Sequence, residues 1–180
     1  MAGFIPEITT RVKVEIDLSG IDEALEVIQS DEVLSDIPSL SEELEERKSQ
    51  LNSLQAPLGD AIAQGLKSNQ EMIISSKHHV SGMMANSVDI SSDGEDYLVG
   101  NTAMSVDGFP YPLAIETGRR EIFPVEKKWL RWFEGGDFGK PVFAKHADSV
   151  DPDPFVQPSI DDTMYDIDEI IDSIFDEVVK

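Results

Sequence analysis

The sequence predicts an α+β fold: an N-terminal strand, long helices, an antiparallel sheet with hairpins, and a closing C-terminal amphipathic helix. Three observations predict it. The stretch ITTRVKVEIDL, residues 8–18, alternates apolar and polar side chains with period two. From residue 21 to residue 76, leucines and isoleucines recur instead at helical spacings. After residue 80, short β-prone runs are punctuated by Asp-Gly and Gly-Gly, until SIDDTMYDIDEIIDSIFDEVV returns to a helical period. A chain of 180 residues with 40% hydrophobic composition is expected to form one domain, 1–180, with a real core.

Each element follows from its local pattern. In the first strand Ile8, Val12, Val14, Ile16 and Leu18 share one face, and Thr9, Arg11, Lys13, Glu15 and Asp17 share the other. Ser19-Gly20 ends it. A first helix then carries Ile21, Leu25, Ile28 and Val33 in one stripe, with acids in its first turn, where the helix dipole favours them. Pro38 punctuates. A second helix over SLSEELEERKSQLNSL takes Ser39 or Ser41 as N-cap and Leu40, Leu44, Leu51 and Leu54 as a narrow stripe. Pro57 kinks or restarts this helix, and Leu58, Ile62, Leu66 and Ile73 continue to about Ser76, giving one long broken helix or a pair.

SGMMANSVDIS and DYLVGN form a hairpin about Asp93-Gly94. YPLAIETGRR, residues 111–120, ends a strand, and Gly118 turns the chain so that Arg119 and Arg120 project. KKWLRWFEGGDFGKPVFAKH, around Gly135-Gly136 and Gly139, makes a second hairpin. DSVDPDPFVQP is a proline-stiffened extended linker. The last helix aligns Ile160, Met164, Ile167, Ile171, Ile174 and Val178 opposite mostly acidic faces. The chain has no internal repeats.

Composition excludes several functions. The absence of cysteine excludes a disulfide framework, a thiol nucleophile and Cys-ligated zinc. MAGFIPEITTRVK lacks the basic start and apolar run of a secretory signal, and no apolar run approaches the ~18 residues that cross a bilayer, so no membrane partner is expected. Asp and Glu number 36 against 14 Lys and Arg, for a formal net charge of -22. Such a surface suits a high-salt cytoplasm, where counter-ions screen the repulsion, or it serves a basic partner or a channel wall. The acids occur in nearly every segment, which favours the salt reading. A surface dominated by phosphate contacts needs a net basic face, so sequence-specific DNA binding is not expected.

No enzyme signature survives inspection. His78-His79 lacks metal-ligand spacing, because neighbours on a helix do not face one another. His146 stands alone at a strand end. Asp151, Asp153, Asp161 and Asp162 offer a hard cation oxygen ligands but lack the EF-hand order and glycine. A metal-dependent hydrolase using Asp151, Asp153 and a histidine is the rival reading, and adding metal would then raise the melting temperature. There is no GxSxG, Walker A or GxGxxG stretch, and Gly135 to Gly139 reads as a turn. No cofactor and no metal are expected.

What stands out is a basic cluster. Arg119, Arg120, Lys127, Lys128, Arg131, Lys140 and Lys145 are half of the chain's basic residues, with only Glu121, Glu126, Glu134 and Asp137 among them. Ordinary pairing with acids of the same chain accounts for some. An interface accounts for the rest: Arg pairs carboxylates bidentately, and Trp129, Trp132 and Phe155 are of the aromatic type that anchors interfaces beside arginine. In a homo-oligomer this patch would meet an acidic helix of the next copy in a heterologous, ring-closing contact.

Five stretches in order resemble one known family. Residues 12–25, a strand followed by SGIDEAL, are similar to its opening strand and Gly-Leu-Asp-Glu-Leu-like helix start. SGMMANSV (81–88) stands where the family has Thr-Gly-x-Leu-x-x-Ser-Ile, with Met83 and Met84 departing from its basic and leucine positions. YLVGNTA (97–103) is similar to its Val-Gly-Thr strand end, YPLAIETGRR to its Tyr-Ala-x-x-Val-Glu-x-Gly motif, and DPFVQPSI (153–160) to the Pro-Phe-x-x-Pro-Ala that opens its last helix. The chain thus resembles the neck or tail-completion proteins of long-tailed phages and tailed archaeal viruses, a family that includes the minor tail protein Z type. The helix of residues 39–57 is long for the family, and the 127–145 hairpin occurs in only some relatives. The resemblance implies a virion structural protein, assembled in the host cytoplasm, that joins the tail tube to the portal or adaptor complex. It implies a homo-oligomeric ring of six- or twelve-fold symmetry through which DNA passes without sequence-specific binding. A tail terminator or head–tail adaptor is the alternative position. Joined to the charge, the virion setting points to a haloarchaeal virus.

Overall fold

The computed structural model describes residues 8–30, 34, 38–77, 84–104, 110–125, 128–134 and 140–178. The elements run β1 (Ile8–Val12), α1 (Ser19–Ser30), α2 (Pro38–Ser53), α3 (Gln55–Lys77), β2 (Val88–Asp93), β3 (Asp96–Asn101), α4 (Tyr111–Thr117), β4 (Leu130–Glu134), β5 (Lys140–Ala144), α5 (Val156–Tyr165) and α6 (Ile167–Val178). The fold is α+β, with helices dominating and both sheets antiparallel. No described helix is long and apolar enough to cross a membrane.

The first sheet has the order β1-β3-β2, so β3 is its centre. Val99 of β3, opposite both Thr10 and Ile90, is fully buried. The hairpin of β2 and β3 turns at Gly94, as the Asp93-Gly94 pair predicts. Hydrogen bonding in β1 stops at Val12, six residues short of the predicted strand end. Length limits it: Val12 pairs with Tyr97, and β3 begins only one residue earlier, at Asp96 beside the Gly94 turn, so at most one further position could pair. The alternation still holds, since Val14, Ile16 and Leu18 are half-buried and Lys13, Glu15 and Asp17 exposed. The Gln55 side chain donates to the Val14 carbonyl (2.8 Å) and fixes this extended stretch.

Helix α3 is the spine. It packs on the sheet and also on α5 and α6. Its Ala63, Leu66 and Ile74 join Val12, Ala85, Val88, Val99 and Phe155 in one core. Gly59 permits the closest approach: a Cβ there would lie 2.7 Å from the Tyr97 ring. Pro57 does restart the helix, because α2 ends at Ser53 and α3 begins at Gln55; a proline in the first turn forfeits no helical hydrogen bond. Neither Ser39 nor Ser41 is an N-cap, since α2 already starts at Pro38. The stripe of Leu40, Leu44 and Leu51 is half-buried and Leu54 is buried, as the spacing predicts. Val33 lies outside the described residues.

Three further expectations need correction. YPLAIE is helix α4 and not a strand end. Pro112 in its first turn is compatible with a helix, whereas a proline inside a strand costs a ladder bond, and Gly118 ends the helix as its C-cap. The last helix is two, broken at Asp166, and its buried line in α5 runs through Phe155, Ser159 and Thr163 while Met164 is 57% exposed. Small polar residues serve there because α5 lies close against α3: Thr163 accepts from Asn69 (3.0 Å) and donates to the Ser159 carbonyl. The extended linker expected over 148–158 is tethered to the body, and its last residues, 156–158, already belong to α5. Val150 exchanges two backbone hydrogen bonds with Arg119, and the Asp153 N–H donates to the Ile115 carbonyl.

Candidate functional site

The basic cluster lies on an arm, and its root is built by a backbone pairing between distant segments. Residues 119–122 run antiparallel to 147–150, bridged at Arg119–Val150 and at Ile122–Ala147. Gly118 makes the entry possible. Its φ is +73°, and a Cβ there would meet the Val150 carbonyl oxygen at 2.8 Å and Pro152 at 2.9 Å. The chain then leaves the body and returns through the hairpin β4–β5, whose strands, among the described residues, pack substantially on no other helix or strand.

Register decides what the hairpin displays. Leu130 pairs with Ala144, Arg131 with Phe143 and Trp132 with Val142. One face therefore carries Trp129, Arg131, Phe143 and Lys145, and it is the outward one: Trp129 is 43% and Phe143 59% exposed. Leu130, Val142 and Ala144 on the other face are half-buried. On the outward face cations lie over rings, with Arg131 6.0 Å from the Phe143 centroid and Lys145 5.8 Å from that of Trp129. Phe123 and Val125, leading into the hairpin, are also exposed.

The arm's cations differ from the body's. Arg11, Lys13, Arg47, Lys48, Lys67 and Lys77 each form an ion pair within the chain. Arg11 spans Asp93 and Asp96, which raises its already high pKa through those two hydrogen bonds. On the arm, Arg120, Lys128 and Lys140 have no carboxylate partner among the described residues, and Nη1 of Arg119 is buried without a hydrogen-bond acceptor. Arg119 and Arg120 line an open cleft of about 360 Å³ with Thr117, Ser149 and Asp151. An acidic surface is equally distinct: α5 and α6 contain no basic residue and expose Asp161, Asp162, Asp168, Glu169, Asp172 and Asp176.

Of the expected interface residues, the arm thus gathers Arg119, Arg120, Lys128, Trp129 and Arg131. Trp132 is placed on β4 at its register position opposite Val142. Lys127 lies outside the described residues, as do His78 and His79. Phe155 is not on the surface at all. It is fully buried at the start of α5, in one core cluster with residues of α3 and the first sheet. The rival acidic set does not converge. Asp151 is exposed, Asp153 pairs with Lys77 (2.7 Å), and Asp161 accepts from Gln157 (2.9 Å).

Sequence reasoning missed Glu116. Its Oε2 accepts hydrogen bonds from the backbone N–H groups of Phe155 (2.9 Å) and Val156 (3.2 Å), capping α5 from a segment far away in sequence. It also missed the environment of His146, whose ring lies against Phe123 and between Glu121 and Asp148. The available signal was cross-strand register, which needs the pairing partner to be known. Comparison of the chain with protein-family models, with curated proteins and with solved structures finds no match.

Proposed function

We propose that the chain is a virion structural protein of the neck, one subunit of a homo-oligomeric ring around the DNA channel that joins the tail tube to the portal or adaptor complex. The observation that carries the interface is the contrast in pairing. In a chain of net charge -22, the body's described cations are matched internally, whereas on the arm Arg120, Lys128 and Lys140 have no carboxylate partner among the described residues, and Trp129 and Phe143 are exposed. A two-stranded hairpin is marginal by itself, so an arm of this kind gains most of its order from a partner. Its Trp, Phe and Arg are of the residue types that dominate binding energy, and the carboxylates of a neighbour's α5 and α6 supply the matching charge.

The neck assignment rests on the resemblance. Stretches that carry the resemblance meet in space: Glu116 of YPLAIETG holds the first N–H groups of the helix opened by DPFVQP, and Asn101 of YLVGN donates to the Met84 carbonyl of SGMMANSV (2.9 Å). An acidic channel wall repels phosphate and lets DNA slide without being read.

The test is assembly. Cross-linking and mass photometry in molar salt, with the portal and tail proteins co-expressed, are expected to find the chain in a ring or neck complex. The triple variant Arg120→Glu, Lys128→Glu, Lys140→Glu is expected to keep its fold and lose the complex. A strictly monomeric chain that never enters particles defeats the proposal; electron microscopy of particles carrying a labelled chain separates the neck from the terminator and adaptor positions.

A further inference from the structure

We propose that Glu121, His146 and Asp148 form a divalent metal site of the zinc class at the root of the arm. The site follows from backbone pairing. Ile122 and Ala147 exchange both backbone hydrogen bonds (2.9 Å each), so the residues flanking them project to the opposite side of the ladder. Glu121 then stands opposite Asp148, Phe123 opposite His146, and all four share one face. The Nε2 atom of His146 lies 3.5 Å from a Glu121 oxygen and 3.3 Å from an Asp148 oxygen, and the three donor atoms lie within 4.8 Å of one another. Donors about 2.0–2.1 Å from a tetrahedral zinc are themselves separated by about 3.3 Å, so two of the three edges already have the required length. A small swing of either carboxylate, both on exposed side chains, closes the third.

The donor chemistry narrows the ion. One imidazole nitrogen with two carboxylates suits zinc, cobalt or nickel, whereas calcium and magnesium prefer six or more oxygens. The Phe123 ring lies beside that of His146, with centroids 5.9 Å apart. Three protein ligands leave a fourth position open to water or to a ligand from outside the chain. The consequence is mechanical. Glu121 lies on the outgoing strand of the arm and His146 and Asp148 on the returning one, so a bound ion ties the two strands together where the arm meets the body. Without metal the same three side chains lie in direct contact, His146 Nε2 with one oxygen of Glu121 and one of Asp148, and that contact is the competing state. The inference stands on this geometry and does not depend on the ring assignment.

The experiment uses the full chain, stripped with chelator and held in molar salt to suppress diffuse counter-ion binding. Zinc chloride is added in calorimetric titration, and the imidazole resonances are followed by nitrogen–proton correlation. Expected are saturation at one zinc per chain, a shift of the His146 ring signals, and a rise in melting temperature that equal magnesium or calcium does not produce. Glu121→Gln, Asp148→Asn and His146→Gln should each weaken binding at least ~10-fold with unchanged circular dichroism, and the double variant His78→Gln, His79→Gln should bind as the parent does. Zinc uptake that does not saturate at one, or that survives His146→Gln, is diffuse carboxylate binding and overturns the proposal. Uptake lost in the His78/His79 variant instead overturns it equally.

Discussion

Glu116 does from another segment what an N-cap residue does from the adjacent position. Helix α5 opens with Phe155, which has no side-chain acceptor, so its first N–H groups depend on the Glu116 carboxylate. Glu116→Ala is expected to lower stability by about 1 kcal/mol, in the usual range for a lost cap, and Glu116→Gln, which keeps an acceptor oxygen, by less. Urea midpoints of the three proteins measure both; equal loss for Gln and Ala would mean that the carboxylate is not acting as a cap. At this scale the sequence was only partly legible. It marked YPLAIETG as a unit and Gly118 as a turn, but no local rule links residue 116 to residue 155. Phe155 shows the same limit, because an aromatic between prolines and acids looks exposed until the core that receives it is known. Met164 errs the other way: its spacing fits the apolar stripe, yet α5 turns Thr163 inward.

The arm is the element least tied to the rest of the described fold. Its two strands are held to the body by the bridges at 119–150 and 122–147, while α3 and β3 are fixed on several sides. Local opening should therefore cost far less in β4–β5 than in the core. Hydrogen exchange on the isolated chain is expected to show amides of Leu130–Glu134 and Lys140–Ala144 exchanging at least ~100-fold faster than those of α3, with the difference shrinking on assembly. Protection of the hairpin equal to that of α3 in the isolated chain would show an arm that needs no partner. Both hairpins and the α2–α3 break were legible, since period-two alternation marks the strands, and Asp93-Gly94 and Pro57 act locally. Helix α4 was misread because a seven-residue apolar stretch has no decisive period, and its proline was the better guide. The early end of β1 was invisible, since it is set by where β3 begins.

For the molecule as a whole, fold class was legible from periodicity, but the site was not, because the arm's root joins segments some thirty residues apart whose pairing no pattern announces. Charge acts at this same scale. With 36 acidic residues against 14 basic ones, and the body's described cations already paired, the remaining carboxylates repel one another across the surface. The screening length falls from about 10 Å at 0.1 M salt to about 3 Å at 1 M, so potassium chloride should relieve that repulsion within the folded chain. The expected outcome is a melting temperature that rises by about 5 °C or more between 0.1 M and 2 M salt, since 1 kcal/mol corresponds to about 2–4 °C for a chain of this size. A flat or falling midpoint would remove the high-salt reading and leave the acids to a partner or a channel wall. Docking of the arm in the proposed ring would show a different dependence. Salt would weaken an attraction of Arg120, Lys128 and Lys140 for a neighbour's carboxylates, whereas contacts made there by Trp129 and Phe143 would persist. Measured by light scattering over the same range, assembly should therefore weaken only modestly while the subunit itself becomes more stable. Complete dissociation at 2 M would mean that the rings on the arm bind nothing.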